Sequence, residues 1–361
     1  MNNVNELKSS YLGKKVFVTG HTGFKGSWLV FMLNKLGAEV YAISNETPKD
    51  RNHSYYALGI EDLIVNSGDS FYDIRDFDIV YNKLSFYKPD YVFHLAAQAI
   101  VSTSYKEPLI TMQTNIMGTT NVLEAIRLYQ DKLTSVIITS DKCYKNKERF
   151  EPYLEHEEMG GEDPYSASKG ACELVFHAYM ESFFKLDPLK NIASTRAGNV
   201  FGGGDWSENR LVPDCIRDIL KGSGVVDIRS PNAVRPWTFV VEILYGYLAL
   251  GARLDKDKRY QGSWNFASGE TRTVLEVCES IIDELETGQV NVDESFSIGK
   301  ECGLLLIDET KARKLLGWDL VYSVDEALKL SADWYHSQFK GENMVDYSTK
   351  FIENYFEKTV R

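Results

Sequence analysis

Short apolar runs alternate with amphipathic stretches over residues 12–200 of this 361-residue chain. Lys15-Val16-Phe17-Val18-Thr19 has the character of a buried strand and breaks into a glycine-rich segment, Gly20 to Gly26. A helical stretch from Ser27 to Leu36 follows, closed by Gly37, and Val40 to Ile43 is the next apolar run. The alternation continues with a strand at Tyr91–Ala97, a helix at Thr114–Tyr129 and a strand at Ser135–Ser140. A helix from Tyr165 to about Phe184 and a strand at Ile192–Arg196 complete it. Apolar strands separated by helices predict an α/β fold built on a doubly wound parallel sheet. Such folds bind ligands beyond the carboxyl ends of the strands, where Gly20, Ala97, Ser140 and Asn199 all fall.

After Asn199 the pattern becomes less regular. Gly202–Asp205 reads as a loop, Leu211–Leu220 as a helix, and Val225–Arg229 and Trp264–Ala267 as short strands. Helical patterns recur at Val240–Leu250, Val274–Leu285, Glu309–Leu316 and Val324–Trp334. Asp255–Arg259 reads as a solvated charged loop. The expectation is a smaller α+β domain over 201–361 beside a nucleotide-binding domain over 12–200, with some later segments free to return to the first.

Composition narrows the class. Hydrophobic residues make up 43% and charged ones 25%, as in ordinary globular domains, and the net charge of −12 disfavours nucleic acid or an anionic membrane as partner. Cys143, Cys172, Cys215, Cys278 and Cys302 are scattered without CxxC or metal-ligand spacing, so no metal is expected and a reducing compartment is. The polar stretch Met1–Tyr11 lacks a secretory apolar core, and Phe239–Leu250 carries Glu242 and is too short to span a bilayer. These features predict a cytoplasmic protein.

Three segments carry candidate chemistry. Glycines at the junction after the first strand let the backbone approach a pyrophosphate, which a helix N-terminus stabilises. The spacing here is GxxGxxG. Tyr165 and Lys169 lie four residues apart at a helix start marked by Pro164. They share a face there, and a nearby ammonium favours the phenolate of a tyrosine, making it usable as a base. YxxxK alone is a frequent accident; its company upstream gives it weight. Ser140-Asp141-Lys142 adds a hydroxyl, an acid and an amine at a strand end, more than simple alcohol oxidation needs. The pattern by itself stops at a nucleotide-binding, oxidoreductase-like enzyme.

The segments TGxxGFxG at Thr19–Gly26, HLAA at His94–Ala97 and YxxxK at Tyr165–Lys169 resemble the extended short-chain dehydrogenase/reductases, a Rossmann-like family. The stretches VFVTGHTGFKGSWL, TSDKCY, EMGGEDPYSASKG, RAGNVFGGGDW and IRSPNAVRPW narrow the resemblance to the nucleotide-sugar 4,6-dehydratases, and among these to those acting on CDP-glucose. It runs from about Leu12 to the C-terminal helices. Relatives acting on other nucleotide sugars usually carry Asp-Glu where this chain has Asp141-Lys142.

The resemblance implies NAD as cofactor and conversion of CDP-glucose to CDP-4-keto-6-deoxyglucose by oxidation at carbon 4, loss of water across carbons 5 and 6, and reduction at carbon 6. Tyr165, with Lys169 and Ser140, would take the 4-hydroxyl proton. Asp141 would protonate the leaving hydroxyl, and Lys142 would be the carbon-5 base or a charged stabiliser of the enolate. As a base it must be neutral, which requires a depressed pKa. Cofactor contacts are implied for Gly20, Thr22, Gly23, Phe24, Lys25 and Gly26, for Leu95, Ala96 and Ala97, for Tyr165 and Lys169, and for Asp73 and Ile74. Tyr72, just before that last pair, stands where relatives usually have Gly. Substrate contacts are implied for Asn199, and Arg210 and Arg235 suit a diphosphate. Also implied are a homodimer paired through the helices near Thr114–Tyr129 and Tyr165–Phe184, and a place in deoxysugar biosynthesis for lipopolysaccharide O-antigen. Two other readings stay open: a nucleotide-sugar 4-epimerase, which needs only reversible oxidation at carbon 4, and a non-catalytic dinucleotide sensor.

Overall fold

The structure, a computed structural model, describes residues 4–228, 230–292 and 304–359. Arg229 and Cys302, both part of the sequence reading, lie outside the described residues. Eleven strands are described: Lys15–Thr19 (β1), Glu39–Ile43 (β2), Tyr91–His94 (β3), Leu133–Ile138 (β4), Lys190–Ala197 (β5), Asn199–Phe201 (β6), Val225–Ile228 (β7), Val234–Phe239 (β8), Gly262–Phe266 (β9), Thr271–Thr273 (β10) and Gln289–Val292 (β11).

Six of them form one sheet in the order β2-β1-β3-β4-β5-β9, with every neighbouring pair parallel. Val40 and Ser44 add isolated parallel bridges to Ile64 and Phe71 outside β2. Every residue of β3, β4 and β5 is buried, because helices cover both faces of a parallel sheet. On one face the helices Phe24–Lys35 and Val240–Lys256 bring Trp28, Leu29, Leu244 and Leu248 into the larger core. On the other, Phe77–Tyr87, Thr119–Leu128 and Pro164–Tyr179 contribute Leu84, Leu123, Ile126 and Phe176. The apolar run around Val240 is thus a core helix, buried along nearly its whole length. No helix of the described residues is long and apolar enough to cross a membrane.

Away from this sheet, β6, β8 and β10 form a three-stranded sheet, and β7 pairs with β11. The strand expected around Trp264 belongs instead to the main sheet as β9, its edge beside β5. Several elements carry no clear pattern in the sequence: the helices Val4–Tyr11, Phe77–Tyr87 and Met344–Lys358, and β8, which Pro236 disguises. The helix expected from Thr114 begins with a wider, π-type turn over Gln113–Gly118, and the one from Tyr165 ends in another over Met180–Phe184. The expected helix at Glu309–Leu316 is mostly such a turn, Ala312–Leu316. Asp255 is also not simply solvated: it pairs with Lys132 and accepts from the Thr134 hydroxyl at 3.1 Å.

The chain runs outward from β1 to β2 and then crosses back to β3 on the other side of β1. That reversal opens a crevice beyond the ends of β1 and β3, the position at which such sheets bind ligands.

Candidate active site

The turn after β1 is closed by glycine packing. Gly20 has φ +83°, and a Cβ there would lie 2.6 Å from the Ala96 nitrogen; a Cβ on Gly26 would lie 2.0 Å from the Gly20 oxygen. Loop, helix and the end of β3 therefore meet at backbone distance, which only glycine permits. Ala96 donates its N–H to the Thr19 hydroxyl at 3.3 Å, and Leu95 to the Thr19 carbonyl at 3.0 Å. The run expected as strand to Ala97 leaves the sheet after His94, whose ring bonds Thr19 and Thr119, and Leu95–Ala97 line the crevice half-buried.

The helix Phe24–Lys35 starts at Gly23 with no side-chain cap, and Gly23 is exposed. Its first N–H groups have no intrahelical partners, the condition that makes a helix N-terminus an anion site. Beside it Thr22 and Phe24 are buried, and the buried His21 Nε2 has no hydrogen-bond partner. These features fit a dinucleotide pyrophosphate. On the far side, Ile74 is buried against Gly118, and Asn121 fixes the Ile74 and Arg75 carbonyls. The Asp73 carboxylate is gripped by Arg75 at 2.6 Å, which holds its pKa below the usual range. Both of its oxygens accept from Arg75, Oδ1 from the backbone N–H and Oδ2 from the guanidinium.

Ser140, Asp141 and Lys142 form a tight turn beyond β4. The Ser140 hydroxyl donates to Asp141 Oδ1 at 3.0 Å and accepts from the Lys142 N–H at 3.2 Å. Asp141 is buried and Lys142 half-buried. Asp163 caps the next helix by accepting from the Ser166 N–H at 3.0 Å, with Pro164 in the first turn. That geometry sets Tyr165 and Lys169, both buried, on the inner face, with the Lys169 ammonium 5.9 Å from the Tyr165 ring centroid. This helix packs directly against the turn at Asp141–Cys143.

The substrate side closes on the same turn. A Cβ on Gly198 would lie 3.4 Å from Asp141 Oδ2 and 3.5 Å from the Pro236 ring. Asn199 pairs in register with Trp237, two residues beyond Arg235. Arg235 lines an open cavity of about 440 Å³ with Phe150, Ser230, Thr271, Leu304 and Leu306. Arg210 reaches inward instead: it pairs with Asp205 at 2.9 Å and lies within electrostatic reach of Tyr165.

Two further groups reach this centre. The Lys25 side chain points its ammonium at Tyr247, 5.9 Å from the ring centroid. Burial, with the nearby charges of Lys169 and Arg210, lowers its pKa from 10.5 to about 7, against the opposing pull of Asp141. The sequence marked Lys25 only as part of the loop and offered no signal for Tyr247, which arrives from a distant helix. Below the centre, Glu173, one turn beyond Lys169, forms a buried ion pair with Arg196 at 2.6 Å.

Crevice, glycine turn and Tyr-Lys helix together define a nucleotide-binding enzyme of the short-chain dehydrogenase/reductase type. The chain belongs to the GDP-mannose 4,6 dehydratase family, whose profile matches residues 17–330. It is 38% identical to a CDP-glucose 4,6-dehydratase of Salmonella typhimurium, over 98% of this chain and 99% of that one. A dTDP-glucose 4,6-dehydratase of Escherichia coli is 25% identical over 94% of this chain and 99% of its own. Among solved structures, a Thermus thermophilus UDP-glucose 4-epimerase complex with NAD superposes with a TM-score of 0.74 at 25% identity, covering 89% of this chain and 99% of that chain.

Proposed function

We propose that this protein is an NAD-dependent nucleotide-sugar 4,6-dehydratase acting on CDP-glucose. The observation that carries the reading is the packing of the turn Ser140-Asp141-Lys142 against the Tyr165–Lys169 helix, which supports an acid and an amine acting together with the alcohol-oxidising pair. An epimerase has no use for them. The 38% identity to a CDP-glucose 4,6-dehydratase supports the same reaction and the choice of nucleotide.

Gly20, Thr22, Gly23, Phe24, Lys25 and Gly26 hold the NAD pyrophosphate, Leu95–Ala97 flank it, and Asp73 and Ile74 take the adenine end. Bound NAD supplies the two-electron acceptor for carbon 4 and the donor for carbon 6. Tyr165, as a phenolate stabilised by the Lys169 ammonium, takes the proton of the 4-hydroxyl, and Ser140 orients that oxygen. The carbon-4 ketone acidifies the proton on carbon 5, which Lys142 removes. Protonated Asp141 then gives its proton to the 6-hydroxyl, which departs as water, and Lys142 returns its proton to carbon 5. Asn199 contacts the sugar, Arg235 the diphosphate from its cavity wall, and Arg210 the region around Tyr165.

Residues 12–200 supply the cofactor half and 201–361 most of the nucleotide-sugar half, while β9 and the helix Val240–Lys256 pack with the first. The active unit is a homodimer. The compartment is the cytoplasm, in keeping with free thiols at Cys143, Cys172, Cys215 and Cys278. Its product feeds deoxysugars of the lipopolysaccharide O-antigen kind.

The test is incubation with NAD and, separately, CDP-glucose, UDP-glucose, dTDP-glucose and GDP-mannose, read by mass spectrometry. Loss of one water from CDP-glucose alone, with no build-up of reduced cofactor, is expected. Water loss from another donor would overturn the nucleotide assignment, and a product of unchanged mass would favour the epimerase.

A further inference from the structure

The turn that carries Asp141 and Lys142 is fastened at its two ends by different parts of the fold. Its first end belongs to the main sheet. Thr139, just before Ser140, donates its N–H to the Thr195 carbonyl at 2.8 Å and its hydroxyl to Glu173. Its other end is Tyr144, whose N–H donates to the Asp141 carbonyl at 3.1 Å and closes the turn across Lys142 and Cys143.

Tyr144 is held in turn by its ring and its hydroxyl. The ring is buried and stacks on Tyr153 with centroids 5.2 Å apart. The hydroxyl donates to Asn265 Oδ1 at 2.7 Å and accepts from Arg196 Nη1 at 2.6 Å. The other arm of that guanidinium, Nη2, donates to Glu173 at 2.6 Å, and Glu173 lies on the helix of Tyr165 and Lys169. One planar side chain therefore spans from the helix of the oxidising pair to the residue that closes the Asp141–Lys142 turn. Arg196, Glu173 and Asn265 are all buried. Charges at this depth gain little over well-packed apolar groups, whereas a rigid fork bonded at both arms fixes distance and angle.

We infer that Tyr144 is a positioning residue for the elimination step. Through the Asp141 carbonyl it holds Asp141 and Lys142 in register with Tyr165 and Lys169, and the Arg196 fork sets that register. Ser140, which orients the 4-hydroxyl in the first step, stands at the end fixed by Thr139. Loss of the Tyr144 hydroxyl therefore loosens the groups of the second step and spares those of the first. This inference rests on the dehydratase reading above.

Tyr144→Phe keeps the ring and removes only the hydroxyl, leaving Arg196 its bonds to Glu173 and the Glu155 carbonyl. With CDP-glucose and saturating NAD, single-turnover stopped flow follows reduced cofactor and rapid quench follows water loss. Both are normalised to the NAD-binding fraction found by calorimetry. The first hydride transfer should stay within about threefold of the parent while water loss slows about 10–100-fold, so that reduced cofactor accumulates transiently. If Tyr144→Phe does not fold, Arg196→Lys carries the same expectation, since it keeps a cation for Glu173 and loses the fork. Equal slowing of both steps, as a merely structural role would give, would overturn the positioning role. So would water loss at the parental rate, or slow water loss without accumulation of reduced cofactor. Absence of water loss with the parent enzyme would instead overturn the functional reading, and is seen before any variant is made.

Discussion

Tyr165, Asp141 and Lys142 divide the proposed reaction into separable steps, and single substitutions should separate them. Tyr165→Phe removes the base for the first step, and water loss should fall by about 10²–10⁴-fold with no reduced cofactor formed. Lys142→Met leaves that step intact. It should stall after oxidation, so that reduced-cofactor absorbance accumulates to near one equivalent per site while water loss falls about 10²-fold or more. If Lys142→Met eliminates water at the parental rate, neither role proposed for Lys142 survives. The Tyr165–Lys169 pair was legible in the chain because a four-residue spacing at a capped helix start puts two side chains on one face. The approach of Lys25 to the Tyr247 ring was not, since nothing in local spacing reports a side chain meeting a distant helix.

At the scale of elements, two buried carboxylates tie segments together and respond to pH in opposite senses. Glu173 joins the Tyr165 helix to the ends of β4, β5 and β9 through Thr139, Arg196, Ser194 and Ser263. Arg196 extends the network to the Tyr144 hydroxyl just beyond the catalytic turn. Burial opposes the Glu173 charge, but Arg196 and the hydroxyl donors outweigh it and hold its pKa below the usual carboxylate range. Its stabilisation is therefore present above the unfolded pKa and lost as pH falls. Glu173→Gln strands the buried Arg196 and should cost about 3–5 kcal/mol, measured by chemical denaturation. Glu242 behaves oppositely. It is 1% exposed, accepts from Tyr355 and from the Val321 and Tyr322 N–H groups, and burial pushes its pKa up to about 7. A raised folded pKa gives stability that is full below about 4.5 and lost as pH rises through about 7. The neutral Glu242→Gln should gain on the parent by up to roughly 3 kcal/mol between pH 5 and pH 8, in paired melts across that range. A pH-independent difference would mean that Glu242 does not titrate there.

For the whole molecule, the order of the main sheet decides where chemistry can occur, since the crevice exists only where β1 lies between β2 and β3. Assembly is the second question at this scale. Leu174, Phe183 and Met117 are 61%, 44% and 52% exposed on the helices expected to pair two copies. Exposed apolar residues on adjoining elements are what a partner surface presents. If two copies pair through these helices as proposed, Leu174→Glu should yield a monomer in sedimentation velocity, with its secondary structure unchanged. A parent that sediments as a monomer would remove the pairing altogether.

Local patterning determined the strands β1, β4 and β5, the glycine turn, the Tyr-Lys helix and the family, because each depends on neighbours within a few residues. It could not place Trp264 in the main sheet, since a short apolar run does not record which edge it will join. It also missed β8, where Pro236 reads as a break although its partners β6 and β10 hold the strand. The tertiary structure alone brought Gly198 and Pro236 against Asp141, and Lys25 and Tyr247 into one buried cluster. Those contacts join residues far apart in the chain, and the electrostatics of the site come from what burial places side by side.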